Sequence, residues 1–449
     1  MSVKPATLMR AESSGTEAFF VPPGGAPGTL ETHGYVEEEW IAAGEALGAS
    51  YRTTLLVRRP RDPARFSGTL IVEPVHAMGA VPIWMYTSSY QMRSGHACAC
   101  VCSQKSALEA HVKRSNPERY ASLEIASSEA REDRPSGPGR PTEPDGIRAW
   151  MQRMRAMNAA STPILAQTGA ALRDTGPLAD WGVRHVILVG HSQTGGVVTE
   201  YTVSAHQTAR RSDGAPIYDG LFPSGAPSVR FGPRDVPLVQ TLSEGDIADP
   251  RRPGREGRGY RRADGDDPED RYRLYELAGL PHMGTRYPPY NDPAMWAGNA
   301  SGTAGRVPAD ARMNSLPHGE LFSMTLDHLV RWVDGDRVPP RAERMEVDED
   351  GLFVKDEVGN SRGGVRCAQM DVPRLRYLAN PGTTEDGRPA RGVVGFEEPL
   401  SSETLRQLYG THGAYVAAFE RRLEALIEAG WMLRADAEEM RAEASSATF

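Results

Sequence analysis

The segment that most constrains the fold is a short apolar run that ends at a serine and continues into a helix-like sequence. HVILVG (185–190) is an uninterrupted apolar run, typical of a strand buried on both faces of a parallel sheet. HSQTGG follows at once, and then VVTEYTVSAHQTARR, which predicts a helix. A serine on so tight a strand-to-helix turn adopts a strained backbone that lifts its Oγ above the sheet. We therefore predict a nucleophile elbow at Ser192, and the alternative is a turn in which Ser192 only caps the helix.

The motif around this serine is GxSxT, where GxSxG is the usual form of the elbow. The second position that is normally small therefore carries the β-branched Thr194. Gly195 and Gly196 follow directly and supply small residues one step later. We expect these glycines to let the strand and the helix approach each other closely.

Further apolar runs predict an α/β class with a doubly wound, mostly parallel sheet. Strands are predicted within 49–60, 67–76, 96–104, 218–227, 235–246 and 271–284, and 81–95 predicts a crossover helix ending at Gly95. We expect the strands in 49–60 and 67–76 to pair with each other, where an antiparallel edge meets the central part of the sheet. Because the chain has 46 Gly and 35 Pro, many long connections are expected. We predict a core over 1–340 with insertions at about 105–180 and 283–320, and an extension over 341–449 packed on the core.

A serine hydroxyl becomes a useful nucleophile only when a base takes its proton and a third group orients that base. His282 is the histidine that follows a predicted strand at a Gly/Pro-rich exit, so we predict it as the general base. Two carboxylates, Glu244 and Asp246, stand at the end of the strand VPLVQTLS. We favour Asp246 as the acid because it falls in the turn beyond the strand. Glu244 remains an alternative because its longer side chain could reach His282 from the strand end.

Two further features complete the predicted site. An oxyanion hole needs two backbone N–H groups, and we expect one from Gln193 and one from the loop after LIVEPVH, at His76, Ala77 or Met78. His76 could instead contact substrate or only shape the loop. Met283, Tyr287 and Trp296 follow the base and predict an apolar substrate pocket, with core packing as the alternative.

Composition excludes several other classes of protein. The formal net charge of −8 is spread along the chain, which argues against nucleic-acid binding. The sequence has no apolar stretch of transmembrane length and starts without the apolar core of a signal peptide, so we expect a cytoplasmic protein away from the membrane. Without a phosphate loop, a dinucleotide fingerprint or a metal-ligand cluster, we expect no cofactor and no metal. Cys98, Cys100 and Cys102 alternate along a strand and are expected to be buried thiols.

Several separated segments resemble one family, the α/β-hydrolase domain family of bacteria and fungi. They include YRTTLLVRRPRDPARFSGTLIVEPVH, GHSQTGG, RYRLYELAGLPHMG, WVDGDRVPP, DEVGNSRGGVRCAQMDVP and LYGTHGAYVAAFERRLEALIEAG. The resemblance covers most of the chain. It implies the α/β-hydrolase fold and a Ser-acid-His triad carried here by Ser192, His282 and either Asp246 or Glu244. This chain departs from the family pattern in its oxyanion loop, PVHAMG, and in HSQTGG at the elbow.

Three functions agree with these residues. The first is a serine hydrolase that cleaves a small-molecule carboxylic ester or lactone through an acyl-enzyme intermediate. The second is an acyltransferase that uses the same triad with an alcohol or amine as acceptor. The third is a catalytically silent binding protein on the hydrolase scaffold, which the presence of all three triad residue types argues against.

Overall fold

The structure is a computed structural model, and it describes residues 2–11, 30–127, 152–249, 258–297, 312–380, 382 and 392–447. Ten strands form one sheet in the order β1-β2-β3-β5-β4-β6-β7-β8-β10-β9. They are β1 Thr7–Arg10, β2 Tyr35–Ala46, β3 Ala49–Pro60, β4 Thr69–Pro74, β5 Ala97–Val101, β6 His185–His191, β7 Gly220–Ser224, β8 Leu238–Ser243, β9 Gly265–Asp267 and β10 Asp270–Leu277. A small second sheet pairs β11 Leu375–Leu378 with β12 Phe396–Pro399.

The centre of the large sheet is parallel. β5, β4, β6, β7, β8 and β10 run parallel to one another. β1, β2 and β3 form an antiparallel edge next to β5, and β9 is an antiparallel partner of β10. This arrangement confirms the predicted α/β class with a mostly parallel sheet. The expected pairing of the strands in 49–60 and 67–76 is wrong, because β5 lies between β3 and β4 and hydrogen-bonds to both.

Seven helices of eight residues or more lie within the described part of the chain. They are α1 Pro82–Arg93, α4 Ser161–Asp174, α5 Gln193–Glu200, α8 His318–Asp334, α10 Ser402–Tyr409, α11 His412–Glu428 and α12 Ala437–Ser446. Shorter helical turns are α2 Lys105–Ala107, α3 Lys113–Ser115, α6 Glu244–Ile247, α7 Ala294–Ala297 and α9 Ala368–Asp371. α1 packs on α8 and α4 packs on α5, and α1, α5 and α8 all contact β6 or β7. Every residue of β4, β5, β7 and β8 is buried, as expected for strands covered on both faces.

The loop between β4 and α1 is anchored at both of its ends. The carboxylate of Glu73, on β4, is fully buried and accepts the backbone N–H groups of Ile83 and Trp84 at 2.8 and 2.9 Å. These are donors of the first turn of α1, which have no partner within the helix. The N-terminus of α1 is therefore tied to the end of β4, and residues 75–81 form a short closed loop above the sheet.

The segment after residue 340 lies on the same core as the strands. Met345, Phe353, Leu423 and Met440 are buried members of the main apolar cluster, together with side chains of β4 and β6. Parts of the two expected insertions, 128–151 and 298–311, lie outside the described residues. Within the described part of the chain, no helix is long and apolar enough to cross a membrane.

Candidate active site

Ser192 lies at a sharp turn between β6 and α5. Its backbone has φ 61° and ψ −124°, a left-handed conformation that side-chain-bearing residues rarely adopt. The turn is held by the Ser192 N–H, which donates to the carbonyl of Ser224 on the neighbouring strand at 3.0 Å. The expected strained elbow geometry is therefore present at Ser192, and its side chain makes no capping hydrogen bond to α5.

The GxSxT form of the motif has a structural explanation. The Thr194 hydroxyl accepts from the His191 N–H at 3.0 Å and donates to the His191 carbonyl at 2.8 Å, so it bridges the turn from within. The close approach falls on Gly195, where a Cβ would lie 1.9 Å from the Ser224 carbonyl oxygen. A Cβ on Gly196 would meet nothing within 4 Å. In the usual GxSxG motif, glycine stands at the position that Thr194 occupies here. In this chain, the residue that must be glycine is the next one, Gly195.

His282 joins the serine to a carboxylate. Its Nε2 lies 2.7 Å from Ser192 Oγ, and its Nδ1 lies 2.5 Å from Asp246 Oδ1. Because a carboxylate oxygen accepts, Nδ1 carries the proton and Nε2 is left to accept from the serine hydroxyl. This tautomer is the one in which imidazole can act as a base toward Ser192.

Asp246 is held in place by Ser243, the last residue of β8. Asp246 Oδ2 accepts the Ser243 N–H and hydroxyl, both at 2.8 Å, and Ser243 Oγ accepts the Asp246 N–H at 3.2 Å. This reciprocal pair is a capping box on the short helix α6. It leaves Oδ1 facing His282 and fixes the orientation of the carboxylate.

Glu244, the alternative acid, faces away from His282. Its Oε2 accepts the Gly279 N–H at 2.8 Å, and its Oε1 forms an ion pair with Lys355 at 2.7 Å. The two carboxylates differ because the chain leaves the strand at Ser243 and turns into α6, so they do not share one face. Glu244 instead ties the β8 exit to the loop after β10 and to the C-terminal segment.

His191, next to Ser192 in the chain, contacts both the backbone and the ring of His282. Its Nε2 donates to the His282 carbonyl at 2.9 Å, its Nδ1 accepts from Ser224 Oγ at 3.0 Å, and its ring stacks on the His282 ring at 4.7 Å. Burial, assisted by nearby His282, lowers the pKa of His191 to about 3, so this imidazole is neutral. Sequence reasoning missed these contacts, because the motif shows only that His191 flanks the serine.

The two expected sources of oxyanion donors differ in availability. Gln193 is the first residue of α5, where the backbone N–H has no partner within the helix. The His76 N–H already donates to the Ala80 carbonyl at 2.8 Å, so His76 is wrong as the second donor. The Ala77 N–H makes a long bond, 3.3 Å, to Gln193 Oε1. Burial, with a smaller effect of His282, lowers the pKa of His76 to about 4.

The three residues expected to line a substrate pocket are separated in the structure. Tyr287 lines a cavity of about 300 Å³, together with Tyr86, Gly284, Arg286 and His318. Trp296 is instead buried in a separate apolar cluster with Met313 and Val394, and Met283 packs against it. Core packing, the alternative given for these residues, therefore describes Trp296 and Met283, because both are packed within that cluster.

Sequence reasoning missed two further residues of the site. Gln104 follows β5 outside any motif, yet its side-chain amide contacts Gln193. Ser243 lies at the end of a predicted strand, and its S-x-x-D spacing to Asp246 is the sequence signal that could have predicted this capping box. Among the described residues, no group of three or more His, Cys, Asp or Glu side chains could hold a metal ion.

A strand-elbow-helix unit at the centre of a mostly parallel sheet, with a histidine and a carboxylate from the last strand exits, defines the class of α/β-hydrolase folds. The family described as alpha/beta hydrolase domain matches residues 4–442. The chain therefore belongs to the alpha/beta hydrolase domain family. This membership supports a hydrolase.

Solved structures with some similarity include esterases and a lactone hydrolase. A cold-adapted esterase from an Arctic intertidal metagenomic library is 11% identical, with a TM-score of 0.29 over 54% of this chain and 84% of that one. Dienelactone hydrolase from Anabaena variabilis is 9% identical, with a TM-score of 0.28 over 54% and 86%. A thermostable esterase from Pseudomonas putida is 8% identical, with a TM-score of 0.30 over 56% and 74%. A comparison with curated proteins found no match.

Proposed function

We propose that this protein is a serine hydrolase that cleaves a carboxylic ester or lactone through an acyl-enzyme on Ser192. The observation that carries the proposal is the continuous hydrogen-bonded chain from Ser192 Oγ through His282 to Asp246. Nucleophile, base and orienting acid need this order and these distances for acyl transfer. The strained backbone at Ser192 adds independent support, because such strain persists where the surrounding fold enforces it.

In the first half of the reaction, Ser192 Oγ attacks the ester carbonyl carbon while His282 Nε2 takes the hydroxyl proton. The carbonyl π electrons move to oxygen and give a tetrahedral oxyanion. When the intermediate collapses, the bond to the leaving alcohol breaks and His282 returns the proton to that oxygen. The acyl group is then bonded to Ser192, and His282 is neutral again.

In the second half, water takes the place of the alcohol. His282 Nε2 accepts a proton from the water as its oxygen attacks the acyl carbon, and the proton returns to Ser192 Oγ when the ester bond breaks. Asp246 stabilises the imidazolium of His282 that forms in both halves. The hydrogen bonds from Ser243 keep the Asp246 carboxylate in the orientation that this requires. The Gln193 and Ala77 N–H groups are the proposed donors to the oxyanion.

Covalent labelling tests this proposal directly. A fluorophosphonate probe should modify Ser192, found by peptide mass spectrometry, and Ser192→Ala should lose both the label and hydrolysis of 4-nitrophenyl esters. The loss of kcat is expected to be on the order of 10⁴–10⁶. Ser204→Ala is the matched control, because Ser204 is exposed in the helical segment after the elbow and its hydroxyl donates to the Glu200 carbonyl. A label on a different serine, or full activity in Ser192→Ala, would contradict the proposal.

A further inference from the structure

Two glutamine side chains, the buried Gln104 and the half-buried Gln193, contact each other next to the loop that carries Ala77. Gln104 is completely buried, and its Nε2 donates to the Val75 carbonyl at 2.9 Å and to Gln193 Oε1 at 3.1 Å. In return, Gln193 Nε2 donates to Gln104 Oε1 at 2.5 Å. The two amides therefore form a reciprocal pair that joins the end of β5, the end of β4 and the elbow.

We propose that Gln104 is a positioning residue of the oxyanion hole, acting through Gln193 on the N–H group of Ala77. The inference rests on the proposed serine-hydrolase function and extends it to a residue that does not touch the substrate. Its basis is that both amides can adopt only one orientation, and that this orientation points an acceptor at Ala77.

The orientation begins at Val75. A backbone carbonyl can only accept, so the NH₂ group of Gln104 must face it, and the Gln104 oxygen then faces Gln193. Gln193 must therefore donate from its NH₂ group to Gln104 Oε1. This orientation turns Gln193 Oε1 toward Ala77. An uncontrolled glutamine amide could rotate by half a turn and present NH₂ to the Ala77 N–H, setting two donors against each other.

The weakest hydrogen bond of this network is the one that would have to break during the reaction, between the Ala77 N–H and Gln193 Oε1. The Ala77 N–H bond to Gln193 Oε1 is 3.3 Å long, at the upper limit for a hydrogen bond, whereas the bonds that hold the two amides are shorter. A charged oxyanion is a stronger acceptor than a neutral amide oxygen. The Ala77 N–H is thus held near the elbow in the free enzyme. As negative charge develops on the substrate oxygen, this N–H can exchange its weak hydrogen bond to Gln193 for one to the oxyanion at little cost in free energy.

The test uses Gln104→Leu and Gln104→Glu in the full chain. Leucine removes the pair, and glutamate keeps an acceptor for Gln193 Nε2 but cannot donate to Val75 or Gln193. Loss of one oxyanion donor typically costs 10²–10³ in kcat, so misplacing one should cost about 10- to 100-fold. KM for a 4-nitrophenyl ester should stay within about twofold, since the ground state does not need the oxyanion contact. An alkyl trifluoromethyl ketone, which forms an oxyanion adduct with the serine, should bind more weakly by the same factor as kcat/KM falls.

Gln91→Leu is the matched control, because Gln91 is equally buried and its amide donates to Thr87 within α1. It should lower the melting temperature without changing kcat or inhibitor affinity. If Gln104→Leu does not fold, Gln193→Leu provides the test instead. Gln193 is only half-buried, and its replacement removes the same amide-amide contact. Folded variants with wild-type kcat and wild-type ketone affinity would overturn the inference. Failure of fluorophosphonate to label Ser192 in the wild-type protein would instead overturn the proposed function.

Discussion

Replacing Asp246 by asparagine should abolish most activity by reversing the tautomer of His282. Oδ2 of Asp246 accepts the Ser243 N–H and hydroxyl, and the backbone N–H cannot turn into an acceptor. In Asp246→Asn, the amide oxygen must therefore take the Oδ2 position, which places the NH₂ group against His282 Nδ1. An NH₂ group requires a lone pair there, so the ring proton moves to Nε2, the atom that has to accept from Ser192 Oγ.

The expected size of this effect follows from the chemistry of the base. A wrong tautomer costs about 10⁴ in kcat in serine-histidine-aspartate enzymes, which corresponds to roughly 5 kcal/mol of transition-state stabilisation. KM should change little, because substrate binding does not depend on the position of the ring proton. The assay is steady-state hydrolysis of a 4-nitrophenyl ester, with the melting temperature measured for each variant.

Glu244→Gln is the matched control for this experiment. The introduced amide oxygen can still accept the Gly279 N–H, and the variant loses only the ion pair to Lys355, whose side chain is 45% exposed. A partly exposed ion pair contributes at most about 1 kcal/mol, so we expect slightly lower stability and kcat within about threefold of wild type. A large loss in Glu244→Gln, with near wild-type activity in Asp246→Asn, would refute the reasoning and assign the acid to Glu244.

Three further outcomes are expected. His282→Ala should match Ser192→Ala in kcat within about tenfold, because base and nucleophile act as one unit, and a mild loss would place the base elsewhere. Gly195→Ala should destroy the elbow, since its Cβ would lie 1.9 Å from the Ser224 oxygen, whereas Gly196→Ala should leave folding and ester hydrolysis intact; equal behaviour in both assays would contradict this geometry. Burial lowers the pKa of His96 to about 4 from 6.5, so its contribution to stability is complete above pH 6.5 and is lost as the pH falls toward 4. In urea titrations, His96→Gln should weaken the pH dependence of unfolding across that window, and an unchanged slope would exclude the effect.

The elbow could be predicted from sequence because its determinants are adjacent in the chain. The apolar run before Ser192 and the helical run after it specify a strand and a helix, and a tight turn between them requires the strained serine. His282 was predictable for a similar reason, since it lies in the short exit of the last long parallel strand, β10, which ends at Leu277. Strand edges were harder: β1 and β2 pair at the sheet edge, and β5 separates β3 from β4 through hydrogen bonds that local pattern does not encode.

Only the tertiary structure separated residues that look equivalent in sequence. Asp246 and Glu244 are both carboxylates at one strand exit, and they differ because Ser243 orients the first while Lys355, far along the chain, holds the second. His76 and Ala77 are neighbours, yet the Ala80 carbonyl occupies the N–H of His76 and leaves the N–H of Ala77 with its long bond to Gln193. Gln104 and His191 gain their contacts from partners on other strands and loops. Local sequence therefore determined the elements and the types of residue, whereas hydrogen bonds formed in the folded chain decided which backbone donor lies near Ser192 and which carboxylate faces His282.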